Sequence, residues 1–369
     1  MLEKGKISSL QLAMMMYPTI LGTAVLVMPG MMAKYAKNDL WLSSILASLA
    51  GFLTVYIACR LHRLYPKETI IQYSQRILGT FAGKTLGFIY LFFYVHLTGI
   101  ITRQYADFII SMFLPLTPIS VVITSMVLVA AMAVRGGVEV VGRTAVVFFP
   151  VFTIPLVFFV ILVYADLDPR NLLPVMEHGI TPAIKGALIP ETWFSEFFLM
   201  SFFLPMLTDS EKGMKWGMAS VTGVMLTMVL INLVTLFLLG QEITAFTYPL
   251  MEVARYISIA DFFENLQSVI MMLWVLGAFV KISVFFYAVA LGTGQWLNLS
   301  DYRPLVLPLG FLVFLFSLWD LPNLSALAHF QEKEGPYYLT SIQIVIPLLL
   351  LLIAVVRRRS RKAKEADRG

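Results

Sequence analysis

Long apolar runs, each near the length that crosses a bilayer, alternate along the chain with short segments that collect its charged residues. A hydrocarbon core about 30 Å thick needs roughly 20 helical residues rising about 1.5 Å each. Ten runs approach that length: residues 8 to 33, 40 to 59, 84 to 110, 117 to 134, 144 to 164, 186 to 207, 216 to 239, 266 to 291, 304 to 319 and 338 to 356. The ninth is short. Residues 108 to 134 form one uncharged run, divided here at Pro115 and Pro118, whose rings do not continue a helix. The pattern predicts an all-α integral membrane protein of about ten transmembrane helices, because only helices or closed barrels satisfy every backbone polar group in lipid.

Ten crossings place residues 1 to 7, 60 to 83, 135 to 143, 208 to 215, 292 to 303 and 357 to 369 on one side. That side collects Lys4, Lys6, Arg60, Arg63, Lys67, Arg76, Arg135, Arg143, Lys212, Lys215, Arg303 and the seven basic residues from Arg357 onward. The other side holds Lys34, Lys37, Arg170, Arg255 and Lys333. Positive charge stays on the cytoplasmic side, so both termini are expected inside. The basic tail over 357 to 369 acts as a stop-transfer anchor or meets anionic lipid headgroups.

Composition supports the pattern. Of 369 residues, 59% are hydrophobic and 13% charged, where a soluble domain carries about a quarter charged. The net charge of +5 does not indicate nucleic acid, since its basic residues flank apolar runs rather than line a groove. Cys59 stands alone, which leaves neither a disulfide nor a thiolate metal site. The uncharged stretch from 7 to 33 is too long for a signal-peptide core and lacks a small-residue cleavage site, so the first helix is expected to remain.

The ten runs divide into halves of similar length, about 8 to 164 and 186 to 356, joined by an external segment that includes 166 to 179. Five runs per half give the halves opposite topology within one transmembrane domain. Inverted repeats of this kind typify secondary transporters, whose site lies where discontinuous helices of the two halves meet. The first run carries Pro18, Gly22 and Pro29; the sixth carries Pro190, Thr192, Trp193, Phe194, Ser195 and Glu196 and ends near Pro205. Both are expected to break, with a half-helix starting near Ala24 whose free N–H groups attract a carboxylate. The other reading is a proline kink, with Gly22 used for close packing.

Four ionisable residues lie inside runs: Arg103 and Asp107 in the third, Glu196 in the sixth and Lys281 in the eighth. Charge exposed to lipid is costly, so each is expected to face the bundle interior. Arg103 and Asp107, four apart, either pair with each other or leave Arg103 as a carboxylate grip or external gate. Glu196 can accept from a ligand ammonium. Lys281 can stand where a coupling cation would sit, or the two can form an ion pair that only holds helices together. His96 reads as a hydrogen-bonded packing residue. No metal cluster, Ser-His-Asp set or phosphate loop appears, so no enzyme activity or cofactor is expected; Gly292-Thr293-Gly294 lacks the context of a nucleotide loop. Residues 249 to 257 can form a short amphipathic helix with Glu252 and Arg255 exposed, either a lid over the site or a cover for the bundle end.

Residues 11 to 29, the Arg103 segment with Leu114-Pro115-Leu116-Thr117-Pro118, Arg135-Gly136-Gly137 to Arg143, Phe194-Ser195-Glu196 to Pro205, and Lys281-Ile282-Ser283 through Asp301-Tyr302-Arg303-Pro304-Leu305 together carry a resemblance over essentially the whole chain. The sequence resembles the endospore germination permeases, the B subunits of GerA-type nutrient germinant receptors. The resemblance implies the amino acid, polyamine and organocation transporter superfamily and its LeuT-like five-plus-five fold, with helices 1 and 6 broken. Carried over, it makes Gly22, Thr23 and Ala24 the amino acid site; together with the residues read above, the expected ligand-binding set is Thr19, Gly22, Thr23, Ala24, Trp193, Phe194, Ser195 and Glu196, with gating or coupling at Arg103, Asp107 and Lys281. It further implies a small-molecule germinant, partner A and C subunits, and a place in the spore inner membrane. The alternatives are an ion-coupled amino acid transporter and an ion- or water-conducting structural subunit.

Overall fold

The computed structural model describes residues 2–256 and 266–366, with side chains to 358. Helix α1 (Ser9–Ala36) starts at Ser8, whose hydroxyl accepts from Gln11 N–H while the Gln11 side chain accepts from Ser8 N–H. This reciprocal cap satisfies two end donors that the helix itself cannot. A 3-10 turn at Lys37–Asp39 leads into α2 (Leu40–Leu64). Next come α3 (Ile70–Leu78), α4 (Thr80–Met112), α5 (Ile119–Arg135) and α6 (Val138–Val163). The break between α4 and α5 brackets Pro115 and Pro118, as the sequence predicts.

The second half opens with α7 (Thr181–Ser195), which tightens into a 3-10 helix at Glu196–Phe202. It continues with α8 (Gly213–Leu239), α9 (Pro249–Tyr256), α10 (Gln267–Trp296) and α11 (Val306–Trp319). Last come α12 (Leu324–His329), α13 (Gly335–Thr340) and α14 (Ile346–Ala366), joined by π-helical turns at Phe330–Glu334 and Ser341–Val345 into one rod. Among the described residues, six helical stretches are long and apolar enough to cross a membrane: Ser9–Leu64, which contains both α1 and α2, Thr80–Met112, Val138–Asp166, Ser210–Ala245, Gln267–Trp296 and Leu324–Arg358. The apolar helices at Ile119–Arg135 and Arg303–Trp319 are shorter.

Helices α1 and α10 form the centre. Residues 15 to 33 of α1 and 280 to 292 of α10 are buried without interruption, the mark of helices surrounded by protein on all sides. Helix α6 lies at the rim and turns Val147, Ile154, Phe158 and Ile161 outward.

The expected break in the first helix is corrected. Helix α1 stays α-helical through Pro18 and Pro29, so the N–H groups at Thr23 and Ala24 belong to its ladder and form no half-helix terminus. Gly22 serves packing instead: a Cβ there would lie 2.6 Å from the carbonyl carbon and oxygen of Gly277 in α10. In the sixth run the α-helix ends at Ser195 and gives way to 3-10 segments at Glu196–Phe202 and Leu204–Met206.

The segment before α1 forms a strap across one end of the bundle. Ile7 N–H donates to Met206 O at 3.1 Å, and Ile7 O accepts from Thr208 N–H at 2.9 Å. Glu3 is buried and accepts from Gly5 N–H (2.7 Å), Val138 N–H (3.2 Å), Tyr302 Oη (2.9 Å) and Tyr287 Oη (3.1 Å). At the other end, the expected amphipathic helix is α9; Ile257, its expected last residue, lies outside the described residues. It pairs Arg255 with Glu252 at 2.8 Å and packs with the preceding loop on the C-terminal part of α1 near Gly30, so it covers that end of the bundle.

Candidate functional site

A small cavity of about 30 Å³ lies beside the middle of α1. Its polar wall is made by Thr23 of α1, Trp193 of α7, Glu196 at the first 3-10 residue and Lys281 of α10. Lys281 Nζ donates to Glu196 Oε2 at 2.7 Å, Glu196 Oε1 at 2.9 Å and Thr23 Oγ1 at 3.1 Å. Thr23 Oγ1 also accepts from Trp193 Nε1–H at 2.9 Å. The ammonium therefore has an acceptor for each of its three protons, as a charge this deeply buried requires. The side chains of Lys281 and Glu196 are 1% and 4% exposed, so water does little to screen their attraction.

Local sequence explains why these groups meet. Gly22 and Gly277 let α1 and α10 touch backbone to backbone, which brings Thr23 within reach of Lys281, one turn beyond Gly277. The 3-10 tightening after Ser195 sets Glu196 opposite Lys281. Seven residues is long for a 3-10 segment, and such a segment within a helix often marks a hinge.

The cavity's apolar side is Leu97, Ile100 and Ile101 of α4 together with Phe330 and Leu339 of the rod. Gln104, Thr192 and Gln331 add polar groups, and Gln104 Nε2 donates to Thr23 O at 3.3 Å. None of these eight residues was expected from sequence. Gln104 carried a signal, an amide at depth beside Arg103. Gln331 and Phe330 did not, because Gln331-Glu332-Lys333-Glu334 reads as a polar loop rather than part of a helix. The rod holds its shape through Lys34 with Glu332, Thr340 Oγ1 donating to Glu191 at 2.7 Å, and Lys333 over the Tyr35 ring.

Of the residues expected at the site, Thr23, Trp193, Glu196 and Lys281 come together, and the others stand away from the cavity. Thr19 Oγ1 donates to Met15 O within its own helix at 2.7 Å. Gly22 and Ala24 are enclosed in α1, Phe194 packs against Gly51 of α2, and Ser195 Oγ donates to Thr192 O at 2.6 Å. Arg103 and Asp107 pair at 3.0 Å, and the guanidinium also donates to Ser317 O and Pro322 O. Arg103 thus ties α4 to the end of α11 and the chain that leads into the rod. His96 is bonded as expected, with Tyr338 Oη at 3.0 Å and Asp320 Oδ2 at 2.7 Å. Among the described residues no group of His, Cys, Asp and Glu could hold a metal ion.

The arrangement of the helices and the sequence can both be compared with known proteins. The transporter Mhp1 of the nucleobase-cation-symport-1 family, solved in a closed conformation with bromovinylhydantoin bound, superposes with a TM-score of 0.64 at 12% identity, over 94% of this chain and 78% of that one. This likeness shows a shared fold. Spore germination protein KB of Bacillus subtilis (strain 168) is 26% identical over 99% of both chains. Spore germination protein YndE of the same organism is 22% identical over 97% of this chain and 99% of its own. A family profile described as spore germination protein matches residues 6–323, and with apolar helices long enough to cross a membrane throughout that span, the chain is a multi-pass membrane member of the spore germination permease family.

Proposed function

We propose that the chain is the nutrient-sensing membrane subunit of a spore germinant receptor, and that the cavity bounded by Thr23, Trp193, Glu196 and Lys281 binds a small germinant, an L-amino acid. The observation that carries this reading is the Lys281–Glu196 pair, held at 2.7 Å on the wall of a small cavity in a transporter-like fold. An ion pair that only joined helices would be better replaced by apolar packing, whereas a site for a charged solute needs fixed charge at depth. The cavity holds a water or two and no amino acid, so binding requires the surrounding helices to move, and that movement is the signal. Partner A and C subunits read it in the inner membrane of the spore. In this reading the chain crosses the membrane ten times as two inverted halves, with both termini inside.

Thermal unfolding of the purified chain against a panel of nutrients tests the reading. Saturable stabilisation by an amino acid, lost in Lys281→Ala and in Glu196→Ala, is the expected result. Normal ligand response in both variants removes these residues from the site. The second reading, an ion-coupled amino acid transporter, is favoured by Lys281 itself, whose ammonium bridges α10 to α1 as a coupling cation would. Saturable uptake of labelled amino acid into proteoliposomes supports it; stabilisation without uptake supports the receptor.

A further inference from the structure

A ligand entering the cavity meets charges that already neutralise each other. Lys281 gives its protons to Glu196 and Thr23, and the cavity of about 30 Å³ has no room for an amino acid beside them. Something on the wall has to give way. Moving either charge toward an uncharged ligand would leave a buried, unpartnered ion, which is strongly unfavourable. A zwitterion differs, because it offers a counter-charge to each.

We propose that the Lys281–Glu196 pair is the resting occupant of the site, and that an amino acid with an apolar side chain binds by inserting between the two. This rests on the reading of the cavity as the germinant site. The ligand carboxylate accepts from Lys281 Nζ and from Thr23 Oγ1–H; Thr23 Oγ1 already takes two donors, so its own proton is the hydrogen-bonding capacity left on it. The ligand ammonium donates to Glu196. One ion pair becomes two, every charge keeps a partner, and no proton needs to be transferred.

The backbone shows which side yields. Thr23 and Lys281 are held together by the Gly22–Gly277 contact, where neither backbone has slack. Glu196 stands where α7 turns into a 3-10 segment, and relaxing that segment toward α geometry swings its carboxylate relative to α10. The side-chain class follows from the opposite wall. Leu97, Ile100, Ile101, Phe330 and Leu339 add no charge there, so a ligand with a third ionic group would bury it unpaired.

The test uses the full chain in detergent and four related compounds: L-leucine, its amide, 3-methylbutylamine and 4-methylpentanoic acid, with L-alanine and L-valine as smaller zwitterions. Thermal stabilisation measured against concentration should show zwitterions binding more than about a hundredfold more tightly than analogues carrying a single charge. L-Lysine and L-glutamate should be as weak. The neutral double variant Lys281→Met with Glu196→Gln, which leaves no orphan charge, should lose the response to zwitterions. An amide within about tenfold of its amino acid overturns insertion and leaves the cavity as the germinant site, whereas unchanged zwitterion binding by the double variant overturns both. No stabilisation of the wild type by any of the three zwitterions overturns both.

Discussion

Lys281 satisfies all three of its protons with acceptors from two other elements, so its removal does more than delete one charge. Lys281→Met leaves Glu196 buried without a counter-ion and should lower stability by about 3–5 kcal/mol. Adding Glu196→Gln should restore most of that. Melting temperatures of the single and double variants check this, and a single variant as stable as the double would show the two charges to be uncoupled. Gly22 is constrained by contact rather than by conformation. In Gly22→Ala the new methyl lies 2.6 Å from the Gly277 carbonyl, and backbone cannot step aside as a side chain can. The loss should be about 1–3 kcal/mol or more, read as a lower melting temperature and yield; a melting temperature equal to that of the wild type would refute the contact. The two residues also differ in how far the sequence reveals them. A lysine and a glutamate at membrane depth demand inward-facing partners, so their place was legible. Gly22 stayed open between two readings, because a glycine spared for packing and one spared for unwinding look alike until Gly277, some 250 residues away, is seen opposite it.

At the scale of elements, the strap and α9 cover the bundle at its two ends. Burial pushes the Glu3 carboxyl up, but donors from Gly5, Tyr302, Val138 and Tyr287 together outweigh it and hold it below the usual 4.5. Ser9 N–H likewise holds Asp209 below its usual value. A carboxylate depressed on folding contributes stability that is fully present above the unfolded value and is lost as pH falls through the folded one. The strap should therefore stay closed at neutral pH and release only in acid below 4.5. Hydrogen exchange of the first helix and the strap between about pH 7 and 3 should show this step. Glu3→Gln should lack it and, with Tyr287, Tyr302 and Val138 less well satisfied, exchange faster at neutral pH. A step of equal size in that variant would rule out Glu3. Hydropathy located the helices well where lipid-length runs exist. It placed the start of the last one at 338, whereas the rod begins at Leu324, because the stretch before 338 carries Glu332 and Lys333, which are matched by Lys34 and Tyr35 of α1. That mismatch hid Phe330 and Gln331 from the predicted site.

For the whole molecule, the charge asymmetry predicts Lys333 outside and Arg303 inside. Single cysteines at these exposed positions give a direct check. A membrane-impermeant thiol reagent should label Lys333→Cys in intact cells and Arg303→Cys only after permeabilisation, while the native Cys59 is buried and should stay silent. The reverse pattern would invert the topology. The backbone contact between Gly22 and Gly277 makes α1 and α10 one mechanical body that carries Thr23 and Lys281, whereas Trp193 and Glu196 ride on α7 and its 3-10 extension. The hydrogen bond from the Trp193 indole to Thr23 crosses the seam between those bodies. Any ligand that parts them changes what the indole touches, so the molecule carries its own optical reporter. Intrinsic fluorescence should shift on nutrient addition and the shift should vanish in Trp193→Phe, letting the occupied state be read without a label, a partner subunit or a spore.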